Sequence, residues 1–420
     1  MLQLHTGRPL PRSKLHYIEL CPSAHNFSPA PVDIISLYNG ALKYDHSYSV
    51  ISCEEFVELF RWMDRYYGFA FNNCKVLTPQ EAVQYLDKNK ASGAPYNRIY
   101  GPTKGQVLAG LAALGDPAQI IYEQFLQHPP YAESTCKPND IRPNGKDSRF
   151  FFAAPIQSIL VGIMLCLNVN ETIMSLHMTH AIRAGVSTPG PGMLMFVKQW
   201  FKWLFNIYCF DGAQNDAHFA PVLAYLIFCL RAKYINPQFL SLLRRYYEYT
   251  YLGFISVDGF FFQLFGNLSG QFNTMIDNSL LTLAICMLHA IRHGITYEQF
   301  LTAFKFYILG DDLMVLDSTE LYKPSKLNET YRSLGMYLEA TTDESIPFKD
   351  ISFMGVRTSM YLGAPFYHYD EEKLCESYNY HKNLQDWDKI LSKCAAIVML
   401  LFTSSKFNEL RNITLSLLRD

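Results

Sequence analysis

An α+β fold is predicted by three observations. Residues 307–316 place Gly310-Asp311-Asp312 between two apolar, partly β-branched runs, a pattern that reads as strand, tight turn, strand. Two further apolar runs, 204–210 and 260–265, read as strands, the second rich in phenylalanine. Helical patterns fill much of the remainder, from a polar start at Ser52 to the C-terminal stretch 370–418.

Composition sets the bounds. With 49% hydrophobic and 15% aromatic residues the chain can bury a sizeable core, which excludes disorder. Its 420 residues admit two or three domains or one multi-lobed enzyme. A formal net charge of −2 excludes a globally basic nucleic-acid binder, so any such contact must use local basic patches. The 10 cysteines are scattered without a C-x2-C pair of the zinc or redox kind, which fits a reduced, cytosolic compartment. The N-terminus reads as polar and Pro-rich without a signal peptide, and apolar runs such as 395–402 are too short to span a bilayer.

In chain order, Ser52 with Glu54 and Glu55 opens one helix, and Thr78 with Pro79 opens a second over 79–89. Residues 88–96, with Ser92, Gly93 and Pro95, form a loop. Lys88, Lys90 and the loop's N–H groups can hold a phosphate there, the other reading being an ordinary surface loop. Residues 137–149 set four cations, Lys137, Arg142, Lys146 and Arg149, against two acids. That suits presentation of positive charge to triphosphate oxygens, or a solvated charged loop. A helix-like pattern over 168–202 breaks at Gly185 and at 189–192.

The strand at 204–210 delivers Asp211 at its end, and Asp216 follows at the turn into an apolar helix. The first acid would face a metal and the second whatever lies above the turn, although an acid at a helix start is also favoured by the helix dipole. Residues 231–249 interleave Arg231, Arg244 and Arg245 with tyrosines, which suits a nucleic-acid-facing helix or a solvated helix face. A loop with Ser269 and Gly270 then opens a long apolar helix to about His293, on which Thr274 and Asn278 share one face. Asn278 in such a helix needs a partner, either a ribose hydroxyl or a structural one.

Gly310 permits the turn that holds Asp311 and Asp312 at the hairpin tip. Two like charges so close repel, and a divalent cation of the Mg²⁺ kind offsets them; a solvated Asp-Asp turn is the other reading. An amphipathic helix over 327–338, Lys349, and a strand-like stretch 351–357 containing Phe353-Met354-Gly355 follow.

In this order the stretches resemble the motif set of RNA-dependent RNA polymerases from positive-strand RNA viruses, over about residues 88–357. Ser92-Gly93-Ala94-Pro95 is similar to the template-guiding motif, and 137–149 to the basic fingertip motif. D-x4-D at Asp211 and Asp216, S-G-x3-T-x3-N from Ser269 to Asn278, and G-D-D at 310–312 match motifs A, B and C. Phe353-Met354-Gly355 looks like the primer-grip turn. The wording around Asp211 and Gly266 is most similar to the potyvirus and astrovirus branch.

The resemblance implies a right-hand polymerase, with fingers and an N-terminal extension at 1–195, palm at 196–236, a fingers insertion at 237–262, palm again at 263–357, and a small helical thumb at 358–420. It implies Asp211, Asp311 and Asp312 as ligands of two Mg²⁺ ions, with Mn²⁺ as a substitute, that activate a primer 3′-hydroxyl and stabilise departing pyrophosphate. Lys137, Arg142, Lys146 and Arg149 would neutralise the triphosphate. Asp216, Ser269, Thr274 and Asn278 would line the nucleotide site, with Asp216, Ser269 and Asn278 reading the ribose 2′-hydroxyl. Ser92, Gly93, Pro95, Ser269, Gly270, Phe353, Met354 and Gly355 would meet template or primer RNA.

The implied partners are template and product RNA and ribonucleoside triphosphates, with a protein primer and other viral replication proteins as further candidates. The implied location is the host cytoplasm, in membrane-associated replication complexes reached through partners. Two departures stand out. The loop that usually offers a lysine as general acid reads Thr342-Asp343-Glu344, which leaves Lys349 as the candidate, and the thumb is small enough to leave the product channel open or completed by other proteins. A reverse transcriptase and a catalytically silent RNA-binding scaffold are the competing readings; Asp216 with Asn278 argues against the first and the retained carboxylates against the second.

Overall fold

Helix α1 (Cys53–Asn72) begins at a capping box in which the Ser52 and Glu55 side chains each accept the other residue's backbone N–H. The computed structural model describes residues 16–18, 20, 27–30, 34–44, 51–137, 140–146, 148–203, 206–212, 217–257, 260–268, 270–339, 342–382, 384–404 and 406–418. The helix expected over 79–89 is shorter than its pattern. Thr78 and Pro79 open it, but it covers Pro79–Ala82 and one 3-10 turn, Val83–Tyr85. Beyond it the Asp87 carboxylate takes the N–H of Asn89, a local bond that competes with helix continuation.

Strands β1 (Tyr131–Cys136) and β2 (Phe150–Ala153) pair antiparallel across the basic segment. The pattern at 168–202 resolves into α2 (Ile156–Ser175), which starts earlier, and α3 (Pro191–Lys202). Next come β3 (Asn206–Gly212), α4 (Pro221–Tyr234), α5 (Leu240–Tyr251), β4 (Phe254–Val257) and β5 (Phe260–Gln263). One four-stranded sheet runs β2-β1-β4-β5, with β1 and β4 parallel.

The long apolar helix is α6 (Thr274–Arg292), followed by α7 (Tyr297–Ala303), β6 (Phe304–Leu309), β7 (Asp312–Asp317), α8 (Pro324–Ser333) and β8 (Leu338–Glu339). The second four-stranded sheet is antiparallel in the order β8-β3-β7-β6. Period-2 alternation explains why it is covered on both sides. Tyr208, Phe210, Leu313 and Val315 join the main core with α1, α2, α4 and α6. Ile207, Met314 and Leu316 join a second cluster with Met193, Phe196 and Trp200 of α3.

A three-stranded sheet of β9 (Ser352–Phe353), β10 (Val356–Tyr361) and β11 (Ala364–Tyr369) precedes three helices, α9 (Glu371–Asn379), α10 (Trp387–Leu400) and α11 (Phe407–Leu417). These helices enclose their own small core of Tyr378, Ile390, Cys394, Leu401 and Leu410. They also reach back across the molecule. Helix α9 contacts the short strand Ile141–Pro143 of the basic segment, and His16–Tyr17 pairs with Tyr380–His381.

By length and composition α2 and α6 could each cross a membrane, but both are largely buried here as core helices. The Arg-Tyr cluster at 231–249 is divided between the core and the surface. Arg231 is buried and bonds Asp277 (2.8 Å) and Asn170 (3.0 Å), while Tyr247 and Tyr251 donate to the same Asp277 at 3.1 and 2.9 Å. Arg244 pairs locally with Glu248 on the surface.

Candidate active site

The turn between β6 and β7 is held from below. Gly310, at φ +66°, donates its N–H to Ser279 Oγ (2.8 Å) and accepts from Thr282 Oγ1 (2.8 Å) through its carbonyl. Ser279 and Thr282 lie one turn apart on buried α6, so helix and hairpin are fixed to each other at the residue before the two acids. Sequence reasoning passed over both hydroxyls. The available signal was their i, i+3 spacing within an otherwise apolar helix.

Asp311 occupies the tip. Although one side opens to solvent, loss of hydration on its protein side pushes its carboxyl above the usual carboxylate range, opposed by hydrogen bonds from its own backbone and that of Asp312. Asp312 begins β7, in register with Asp211 at the end of β3. Its Oδ2 accepts the backbone N–H of Met354 at 2.6 Å, and Met354 takes a positive φ of 56° to present it. The carboxylate pair is thereby tied to the turn at 353–355. Phe353 itself, expected at the RNA, is buried against Trp200 and Tyr307, which leaves Met354 and Gly355 at that turn. Asp216, Ser269 and the side chain of Asp211 lie outside the described residues.

Thr274 and Asn278 do share one face, and both are engaged locally. Thr274 Oγ1 sits 3.3 and 3.2 Å from the carbonyls of Leu268 and Gln271, and Asn278 Oδ1 accepts from Asn267 Nδ2 at 2.7 Å. Asn267 is thus a further residue of the site, since it orients the amide of Asn278. The loops expected to meet RNA converge on one stretch of backbone. A Cβ added to Gly270 (φ +100°) would lie 2.1 Å from the carbonyl oxygen of Phe152, and one added to Gly93 (φ +69°) 2.5 Å from that of Ala154. Only glycine allows both loops to rest on 152–155, directly after the basic segment. Ser92 is fully buried and donates to the Gly101 carbonyl (2.9 Å), and its own carbonyl accepts from Ile156 (2.8 Å). Its side chain therefore holds the loop and does not reach RNA, while Pro95 lies half-buried at the loop's end.

The four cations of the basic segment divide into two kinds. Buried Asp140 takes two bonds from the Arg149 guanidinium, at 2.9 and 2.6 Å, and lies 4.0 Å from Lys137. Burial, followed by repulsion from Arg149, lowers the Lys137 pKa despite Asp140, and Lys373 of α9 and Arg142 add to the repulsion. Lys373 was invisible to motif reasoning because it comes from the far end of the chain. Arg142 keeps a buried Nε without a hydrogen-bond partner, and Lys146 is exposed. Lys349 is exposed on a short 3-10 helix, Phe348–Asp350. Upstream of it Ile346 bonds the Ile207 carbonyl (2.8 Å), at the end of β3 away from Asp211.

Among the described residues no three His, Cys, Asp or Glu side chains gather. Asp311 forms no ion pair among the described residues. Carboxylate oxygens are the donors that a hard divalent ion prefers, and the register sets Asp211 beside Asp312 as a third acid.

The chain is similar to known viral proteins. The chain is 24% identical over 371 residues to the genome polyprotein of Zucchini yellow mosaic virus (strain Singapore), covering 83% of this chain and 11% of the relative. It is 28% identical over 289 residues to that of Peanut mottle virus (strain M), covering 63% of this chain and 9% of the relative. The chain thus spans about a tenth of the length of the curated relatives it matches. A solved structure, the Sicinivirus 3Dpol RNA dependent RNA polymerase, superposes with a TM-score of 0.80 at 17% identity, covering 98% of this chain and 92% of the other; that likeness shows an α+β polymerase fold. Residues 52–383 match the family described as viral RNA-dependent RNA polymerase, and the chain belongs to that family.

Proposed function

We propose that this chain carries out template-directed RNA synthesis, transferring nucleotidyl groups from ribonucleoside triphosphates to an RNA 3′ end. The observation that carries the reading is the register of Asp312 against Asp211 beside a turn clamped by α6, which supports three acids at one end of one sheet. Asp211, Asp311 and Asp312 would hold Mg²⁺, or Mn²⁺ in its place. When bound, such ions activate the attacking hydroxyl and stabilise the leaving pyrophosphate. The protein's part is positioning and charge. Arg149, fixed by Asp140, and Lys137, Arg142 and Lys146 supply positive charge for the triphosphate. Asn278, oriented by Asn267, offers an amide to the sugar. A protein primer and other replication proteins remain proposed partners.

The test is nucleotide incorporation on a self-priming RNA hairpin, with Mg²⁺ or EDTA, using ribo- and deoxynucleoside triphosphates in parallel. Metal-dependent extension with ribonucleotides alone is expected. Extension with deoxynucleotides would make the chain a reverse transcriptase, and RNA binding without extension, even with a protein primer supplied, would make it a scaffold.

A further inference from the structure

A cavity of about 390 Å³ opens on the outer edge of the sheet, where β6 meets the segment 178–183. That segment adds a short parallel bridge to β6, with Arg183 N–H on the Ile308 carbonyl (2.8 Å) and Ile308 N–H on that of Ala181 (3.0 Å). Residues 304–307 of β6 line the cavity, so it lies before the turn that carries Asp311 and apart from the site described above. Its polar lining is one-sided. Arg183, Lys305 and His180 reach it, Thr179 and Gln199 add neutral donors, and no Asp or Glu is among the residues that line it.

Arg183 is the unusual member. It is only 6% exposed, and its guanidinium lies over the adjoining rings of Phe196 (4.5 Å) and Tyr307 (4.2 Å). Two of its nitrogens donate to the carbonyls of His177 and Phe306, while its Nε is buried with no partner. Neither Arg183 nor Lys305 forms an ion pair among the described residues. Aromatic faces and carbonyls offset part of the cost of burying this charge, but they do not neutralise it. An oxyanion in the cavity would supply the missing counter-charge. The volume and aromatic walls match a small-molecule pocket and exceed what a single ion fills.

We propose that this cavity is a binding site for the phosphate group of a small phosphorylated ligand, recognised by Arg183 from within and by Lys305 at the rim. Equilibrium dialysis of the full chain with labelled inorganic phosphate, at ionic strength fixed by chloride, tests it. An Arg142→Met/Lys146→Met background reduces the contribution of the fingertip cations. Saturable binding is expected, weakened at least about tenfold by Lys305→Met, a rim substitution that spares the core. Arg183→Gln should abolish binding, and a native circular-dichroism spectrum would separate that loss from misfolding. A parallel series with adenosine monophosphate and adenosine identifies the source. Tighter binding of the monophosphate than of phosphate marks a nucleotide site and equal binding a free-phosphate site, and either supports the proposal. Phosphate binding no better than chloride, adenosine binding as tightly as its monophosphate, or indifference to Lys305→Met overturns it.

Discussion

Asp312 is tied to the turn at 353–355 through its own carboxylate, whose Oδ2 accepts from Met354, so under the proposed function one side chain would serve both the metal site and that turn. Substitution can separate the two roles. Asp312→Asn keeps an acceptor for Met354 and loses the charge, whereas Asp312→Ala loses both. Both should abolish incorporation. Chemical denaturation should show Asp312→Ala less stable by about 1.5–3 kcal/mol, the range for a hydrogen bond to a charged group, and Asp312→Asn by clearly less. Equal losses would show that the Met354 bond contributes nothing. Asn278 was legible as a polar residue that needed a partner, but its partner was not, because Asn267 lies eleven positions earlier in a loop. Asn278→Ala should raise the ratio of deoxy- to ribonucleotide incorporation several-fold, and Asn267→Ala should follow it by releasing the Asn278 amide. An unchanged ratio in Asn278→Ala would remove the sugar-reading role from this pair.

The sequence was most readable at the level of the element wherever one period dominated. The β6–β7 hairpin, the core helix α6 and the C-terminal helices follow directly from patterns of two or 3.6 residues. Reading failed where local bonds or distant partners decided the outcome, as in the shortened helix at 79–85 and the buried face of 231–251. The hydroxyls of α6 belong to the second kind. Ser279→Ala and Thr282→Val each remove one bond to Gly310, and each should cost about 1–3 kcal/mol of stability. Displacement of the turn should lower kcat by up to about a hundredfold with KM little changed, as steady-state kinetics would read. A wild-type kcat in both variants would mean that the hairpin holds its place without the clamp.

Helix α6 also carries a pH-sensitive contact. His289 is fully buried, bonded to Thr330 Oγ1 (2.8 Å) and the Leu321 carbonyl (3.0 Å), and burial pushes its pKa down to about 4. Unfolding restores a value near 6.5, so the unfolded chain takes up a proton between pH 6.5 and 4 and the folded chain does not. His289 therefore contributes full stability above pH 6.5, and on the order of 3 kcal/mol is lost as the pH falls to about 4. Denaturant midpoints measured across that window should fall more steeply for the wild type than for His289→Gln.

At the scale of the molecule, the segments that the motif order divides into fingers and palm share one continuous core, which runs from Leu59 to Leu338. The polar network inside that core crosses every predicted boundary in this part of the chain. Asn170 of α2, Arg231 of α4, Tyr247 and Tyr251 of α5, and Asp277 of α6 meet within it, and Asn170 continues it to Asn273 at the start of α6 (2.8 Å). No motif announced this junction, because each member resembles an ordinary surface or helix residue until four helices bring them together. The loop that carries Gly270 ends at Asn273, so the network anchors that loop from behind. Breaking it on one side should be severe. Arg231→Met leaves Asp277 charged and buried, and Asp277→Asn leaves Arg231 so; each should cost about 3–5 kcal/mol. With both charges removed, the double variant should recover part of that loss, giving a coupling energy of roughly 2 kcal/mol or more in a double-mutant cycle. Strict additivity would mean that the two groups are held by their other neighbours. Measured coupling with a single cooperative transition would mean that fingers and palm unfold as one body, so that a change behind the loop is felt at the carboxylates.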